Sequence, residues 1–365
     1  MRNAPGEPHP RSVRAWFRLL LERVWHANRG ILLGATLIVV TGFGLEWALS
    51  LPGLMRDIWY WPSFEFLFLF AWLPLPFALL FGCLAVRDNS GRFLPGLPGW
   101  KMAWMRFRAG HFSASRFAGA LLAGGAAAVV INAYGSWKRV LPQVAPFSWD
   151  ARFAQWDSLL HGGRQPWEWL QPLLGHPGIT TALDAVYFKW LPVFGAVIAW
   201  QAWSGRTELR VRFFFSVFFV WIVIGGVLAT AFSSAGPCYF EHVVADPNPY
   251  QNLLRYLDGI AATGFHTRSI QAGLWTAYAT NSATPYTGIA AMPSVHVAMP
   301  VLYALVGWSH SRLLGTLFAL YAATVLVATV HLGWHYAIDG YASGVLVVAW
   351  WVLLGKWRSV RGNLL

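Results

Sequence analysis

Charge is what this chain has least of. Only 12% of its 365 residues are Asp, Glu, Lys or Arg, where a soluble domain carries about 25%. That shortage excludes a water-soluble globular body. Cysteine is nearly absent as well: Cys83 and Cys238 are the two, near the ends of different apolar runs, so neither a disulfide framework nor a thiolate metal site is expected. There is no internal repeat and no low-complexity tract. Acidic side chains number 15 against 27 Lys and Arg, a net charge of +12; such an excess can signal a nucleic-acid partner, but its distribution here has another cause.

The chain is instead rich in apolar and aromatic residues, 56% hydrophobic with 23 Trp. Runs long enough to cross a hydrocarbon core of ~30 Å fall near Gly30–Leu51, Phe64–Val86, Phe117–Tyr134, Thr180–Trp203, Phe213–Phe232, Ser294–Trp308, Leu313–Val330 and His335–Leu354. The expected fold is therefore an all-α, polytopic membrane helix bundle of about eight spans. The first run is too long for the core of a cleaved signal peptide and reads as a retained helix behind a short lead, Met1–Pro10. Short connections make the spans one transmembrane domain, 30–355, between a basic N-terminal segment, 1–29, and a tail, 356–365.

Basic residues orient this bundle. Six Arg precede the first span; Arg87, Arg92, Lys101, Arg106, Arg108 and Arg116 follow the second; Arg206, Arg210 and Arg212 follow the fourth; Arg312 follows the sixth; Lys356, Arg358 and Arg361 follow the eighth. Every even-numbered connection is basic, so by the positive-inside rule both termini are expected in the cytoplasm. The charge excess is a topology signal. Left outside are two long loops, 135–179 and 233–293, and the tight turn at His331 to His335. Within the first loop, "PFSWDARFAQWDSLLHGG" puts Trp149, Phe153, Trp156 and Leu160 at helical spacing behind a Ser148/Asp150 start, which predicts an amphipathic helix lying in the outer interface, as an anchor or as a lid.

Two short motifs carry ionisable groups to that outer face, where such groups are costly enough to suggest function. In "AAMPSVHVAMP", Pro293 and Ser294 open a span whose free N–H groups and positive dipole end suit an anion, with His296 in the first turn. In "HLGWHYAID", Asp339 follows His335 by one helical turn. A carboxylate that accepts from one imidazole nitrogen fixes the tautomer and makes the other nitrogen a better nucleophile or base.

At these residues the chain resembles the phosphatidic-acid-phosphatase type 2 superfamily: P-S-x-H matches Pro293, Ser294 and His296, and H-x-x-x-D matches His335 and Asp339. The resemblance implies a nucleophile at His335 that forms a phosphohistidine, an orienting Asp339, a general acid and base at His296, and a phosphate contact from Ser294, with no cofactor and no metal. Two features depart from the family's phosphatases. Ala328 and Thr329 occupy the family's S-R positions, and "SSAGPCYFEH", Ser233–His242, stands where K-x6-R-P is found and has no Lys or Arg. Charge neutralisation then falls to Arg268, Arg255 or Lys189, with Tyr239 as a further substrate contact. The H-Y-x-x-D form without a preceding Arg resembles the inositol-phosphorylceramide and sphingomyelin synthases. It implies transfer of a phospho-headgroup from a membrane lipid phosphoester to a lipid acceptor, with hydrolysis, water as acceptor, as the alternative. The implied partners are the bilayer and its lipids, with no nucleic acid and no protein partner.

Simpler readings stand beside these. His331 completes H-x3-H with His335, a zinc or iron spacing, but the other His of the chain's 11 are scattered, so it reads as a supporting residue. Lys189 with Asp184 reads equally as a buried ion pair, and Arg255 and Arg268 as solvated loop charges. A transporter with an ionic path would bring broken helices at mid-bilayer and paired repeats, and the sequence displays neither.

Overall fold

The computed structural model of the chain describes residues 13–50, 55, 114–244, 247–261, 265–282 and 287–362. The expected second span, Phe64–Val86, and Cys83 lie outside these residues. The architecture is helical, and no strand occurs among the described residues. The longer helices among the described residues are α1 (Val13–Ala48), α2 (Ala114–Val144), α3 (Asp150–Leu160), α4 (Pro166–Leu174), α5 (Pro177–Phe188), α6 (Trp190–Ala202), α7 (Thr207–Ala231), α8 (Gln251–Gly259), α9 (Thr267–Ala279), α10 (Val295–His310), α11 (Arg312–His331) and α12 (Ala337–Gly362).

Among the described residues, six helical stretches are long and apolar enough to cross a membrane: Phe17–Ala48, Ala114–Val144, Pro177–Ala202, Thr207–Ala231, Arg312–His331 and Ala337–Lys356. α10 is shorter, 16 residues, and buries Val297, Ala298, Met299, Leu302, Tyr303 and Val306 almost completely. A helix walled in by protein needs no lipid-facing length, which is why its run is short.

Three elements depart from the hydropathy reading. α2 continues ten residues beyond Tyr134, through Lys138 and Arg139; Lys and Arg end an apolar window yet are good helix formers. The fourth run is interrupted at Lys189, because Pro192 lacks an N–H and its ring crowds the carbonyl four residues back, that of Phe188. α7 widens to a π-helix over Phe219–Leu228, a form associated with functional sites. The widening lets Gly225 face its neighbours at close range: an added methyl there would stand 2.6 Å from the Tyr134 ring and 2.8 Å from Val295.

The chain forms two compact units, 1–36 with 60–128 and 192–214, and 37–59 with 129–191 and 215–365. In the first, buried Arg210 donates to Asn28 Oδ1 at 2.8 Å and to the Ala27 carbonyl at 2.8 Å, which ties α7 to α1. The second contains every residue discussed below. There α10 and α11 form a close hairpin, since a methyl on Gly307 would lie 2.9 Å from Gly315, the small-residue contact that lets membrane helices approach. Above the hairpin, Phe153, Tyr187, Tyr239, Tyr250, Leu253, Leu254, Leu257, Leu332 and Tyr336 make one apolar cluster. Each fully buried Leu in it contributes about 1.5–3 kcal/mol, enough to hold the loop helices against the ends of α11 and α12.

Candidate active site

The site is built on the turn between α11 and α12. Gly333 sits at φ 72°, a left-handed conformation that suits glycine, and the chain reverses so that Trp334 and His335 both donate their N–H to the Thr329 carbonyl, at 2.9 and 3.2 Å. Thr329, at the position of the family's Arg, is completely buried and serves this turn through its backbone. α12 starts at Ala337, two residues after the predicted start, so His335 stands on the turn itself.

His335 is 5% exposed. Its Nδ1 lies 3.2 Å from Asp339 Oδ2, which also accepts the Tyr336 N–H at 3.1 Å. Its Nε2 lies 3.4 Å from Nδ1 of His296. With the Nδ1 proton donated to the carboxylate, Nε2 carries the lone pair; this tautomer follows from the hydrogen bonds. α10 is locked to α12 by the Ser294 N–H, which donates to the Asp339 carbonyl at 3.3 Å. Ser294 is the N-cap of α10, its Oγ accepting from the Val297 N–H at 3.3 Å. The expected phosphate contact is thus a buried cap that orients His296, the second residue of the helix.

Two carboxylates complete the scaffold: Asp150, which the sequence offered only as a helix start, and Asp157, which the sequence reading missed. α3 is the predicted amphipathic helix, but its buried face is Asp150, Phe153, Ala154 and Asp157; Trp156 and Leu160 are exposed. Asp150 accepts from the N–H of Ala235 at 2.9 Å, the N–H of Gly236 at 2.8 Å and the hydroxyl of Tyr336 at 2.8 Å. Asp157 accepts from the N–H groups of Ala337 and Ile338, at 2.7 and 2.9 Å, and so caps α12. Burial pushes both carboxyls above the ordinary range, and these same hydrogen bonds pull them back. The available signal was their spacing: seven residues apart, they share a face with Phe153. Cys238 is buried, and burial pushes its thiol well up, so it is no nucleophile at neutral pH.

The expected cations do not gather at the histidines. Arg255 is exposed, opposite the buried Leu253, Leu254 and Leu257 of α8, and donates to Asn252. Arg268 is held by Asp258 at 2.7 Å and by Gln271 at 2.9 Å. Lys189 is exposed at the helix break, and Asp184 accepts instead from the Thr267 hydroxyl at 2.6 Å and the His266 N–H at 3.1 Å; the Lys189–Asp184 pair does not form. Tyr239 is buried in the apolar cluster with its hydroxyl donated to the Gln271 carbonyl at 2.9 Å. The charge that acts on both His296 and His335 is Lys138 of α2, a residue the sequence reading passed over.

Aromatic rings wall the pair. Tyr187 and Trp190, on either side of the helix break, lie with ring centroids 5.2 and 4.9 Å from His296, and Tyr187 stacks on Trp334 at 5.7 Å. His331 is fully buried one turn before His335, its Nε2 2.9 Å from Thr180 Oγ1, which in turn contacts the Tyr256 hydroxyl at 2.8 Å. Among the described residues no group of three His, Cys, Asp or Glu is placed to hold a metal.

Set beside known proteins, residues 151–353 match the family model of the PAP2 superfamily. No curated protein matches the chain, and no solved structure does.

Proposed function

From the premise that this chain belongs to the PAP2 superfamily, whose members are typically phosphatases or phosphotransferases, we propose that it is a membrane-embedded phosphotransferase moving a phosphoryl or phospho-headgroup between lipids. The observation that carries this reading is the orientation of one imidazole: Asp339 on Nδ1 of His335, and His296 facing its Nε2.

In the first step the Nε2 lone pair of His335 attacks phosphorus and an N–P bond forms. The P–O bond to the departing lipid alcohol breaks, and its oxygen takes a proton from His296 Nδ1. In the second, His296 removes the proton from an acceptor hydroxyl, whose oxygen attacks phosphorus; the N–P bond breaks and its electron pair returns to His335. The covalent intermediate divides one hard step into two, and a positioned general acid contributes about 10²- to 10⁴-fold. Positioning and dispersed charge supply most of what phosphoryl transfer needs.

Two features favour a lipid alcohol over water as acceptor. The walls beside His296 are aromatic, and the motif is H-Y-x-x-D with no Arg before it, as in the inositol-phosphorylceramide and sphingomyelin synthases. The basic residues support an extracytoplasmic site: α12 begins at the site and reaches Lys356 about 29 Å further along its axis, so a cytoplasmic Lys356 puts His335 at the opposite surface.

The test is a panel of lipid phosphoesters offered to the purified protein with lipid alcohols present, following released phosphate and new phospholipid together. The transferase reading expects new lipid in excess of free phosphate, and free phosphate alone would make it a phosphatase. Turnover that persists undiminished in His335→Ala would sink both.

A further inference from the structure

Neither position from which this family's phosphatases draw phosphate-binding cations holds one here: Ser233–His242 contains no Lys or Arg, and Ala328 and Thr329 occupy the other. We propose that Lys138, from α2, is the residue that binds the phosphate of the transferred group. The proposal rests on the phosphoryl-transfer reading above and supplies the charge that reading lacks.

Packing brings Lys138 to the site. One turn earlier on the same face of α2, Tyr134 lies edge-on to Trp221, ring centroids 4.9 Å apart. Tyr134 and Val295 crowd the same side of Gly225, so this face of α2 meets the start of α10, where Val295 is followed by His296. One turn on, the Lys138 backbone is covered by Gly288, where an added methyl would run into the Lys138 carbonyl. Gly288 belongs to the segment that leads through Met292 to the Ser294 cap, so α2, this segment and α10 are registered at Lys138.

The ammonium itself is uncommitted. It acts on both catalytic rings, yet among the described residues it has no hydrogen-bond or ion-pair partner. The carboxylates around the site make their contacts elsewhere: Asp150 with Ala235, Gly236 and Tyr336; Asp157 with Ala337 and Ile338; Asp184 with His266 and Thr267; and Asp339, through Oδ2, with His335 and Tyr336, while its Oδ1 is buried without a hydrogen bond among the described residues. A half-buried cation with no anion is destabilising by itself. It becomes favourable when the anion arrives with the substrate, and an ammonium with three donors is a suitable point charge for phosphate oxygens.

The experiment compares purified wild type, Lys138→Met, Lys138→Arg and His335→Ala, with inorganic phosphate binding read by calorimetry, the unfolding temperature without ligand, and kcat/KM on the lipid panel. The expected result is at least a tenfold loss of phosphate affinity and roughly a 10²-fold loss of kcat/KM in Lys138→Met, with substantial recovery in Lys138→Arg. A Lys that merely braced the fold would lower the unfolding temperature when replaced; a substrate-binding Lys leaves it level or raises it, since an unpaired charge is removed. His335→Ala is expected to keep phosphate affinity while losing turnover. Lys138→Met with phosphate affinity and kcat/KM within twofold of wild type overturns the proposal and leaves His335 chemistry standing. No turnover in any form, with phosphate affinity still dependent on Lys138, overturns the transfer reading and keeps Lys138 as an anion site.

Discussion

Asp157, in the middle of α3, accepts the backbone N–H of Ala337 at 2.7 Å and thereby caps α12 from 180 residues away. The second amide of that helix, Ile338, donates to the same carboxylate, so α3 and the helix that carries Asp339 are one mechanical piece. Asp157→Ala leaves one buried and one part-buried donor without a partner and is expected to lower stability by about 1–3 kcal/mol. Turnover falls with it, because the first turn of α12 is no longer held. Thermal unfolding in detergent checks this; an unchanged midpoint would mean that α12 caps itself.

Asp339→Asn tests the orientation of His335. The amide donates to His335 Nδ1, which leaves the proton on Nε2 and removes the lone pair that attacks phosphorus. A loss in kcat of about 10³- to 10⁴-fold is expected, the scale for replacing a His-orienting carboxylate by an amide. The acid-labile, alkali-stable label of a phosphohistidine, trapped with labelled substrate in wild type, should disappear with it. A normal label in Asp339→Asn would assign the tautomer to another group.

Gly236→Ala meets two obstacles at once. Its φ of 103° and ψ of 166° lie in a region essentially confined to glycine, at a cost of about 1–3 kcal/mol for other residues, and a methyl there would stand 2.8 Å from the Trp334 carbonyl. The variant is expected to show a reduced unfolding temperature and reduced turnover, because the segment that docks on the His335 turn is pushed away. Equal stability of the two proteins would show that the segment yields at no cost.

His331 is expected to brace the site without taking part in chemistry. Its Nε2 contact with Thr180 predicts that His331→Ala lowers the unfolding temperature while kcat stays within a few-fold of wild type, and that chelators leave turnover unchanged. Stoichiometric zinc or iron lost on changing His331 would replace the phosphohistidine scheme with a metal-centred one.

The legible part of this protein was local. Pro293, Ser294, His296, His335 and Asp339 announce themselves because short motifs with ionisable side chains are conspicuous between apolar runs, and the pairing of His335 with Asp339 needs only four residues of chain. Lys138 was hidden for the opposite reason: it sits on a helix that hydropathy ends at Tyr134, among residues read as loop. Asp157 was read past, and Asp150 was read only as a helix start, because the Trp residues beside them made a more obvious apolar stripe. Arg268 and Tyr239 looked available as substrate contacts because a sequence does not display the partners, Asp258 and Gln271, that hold them.

Composition and periodicity by themselves determined an all-helical membrane chain and the pairing of His335 with Asp339, since both follow from spacing along one strand of chain and from the cost of placing polar groups in hydrocarbon. Tertiary structure alone decided what surrounds that pair. The contact between His296 and His335, the capping of α12 by Asp157, the anchoring of Tyr336 by Asp150 and the approach of Lys138 each join residues far apart in sequence. Such contacts depend on how helices pack, through Gly225, Gly288 and Gly307, and packing leaves no periodic mark on the residues it brings together.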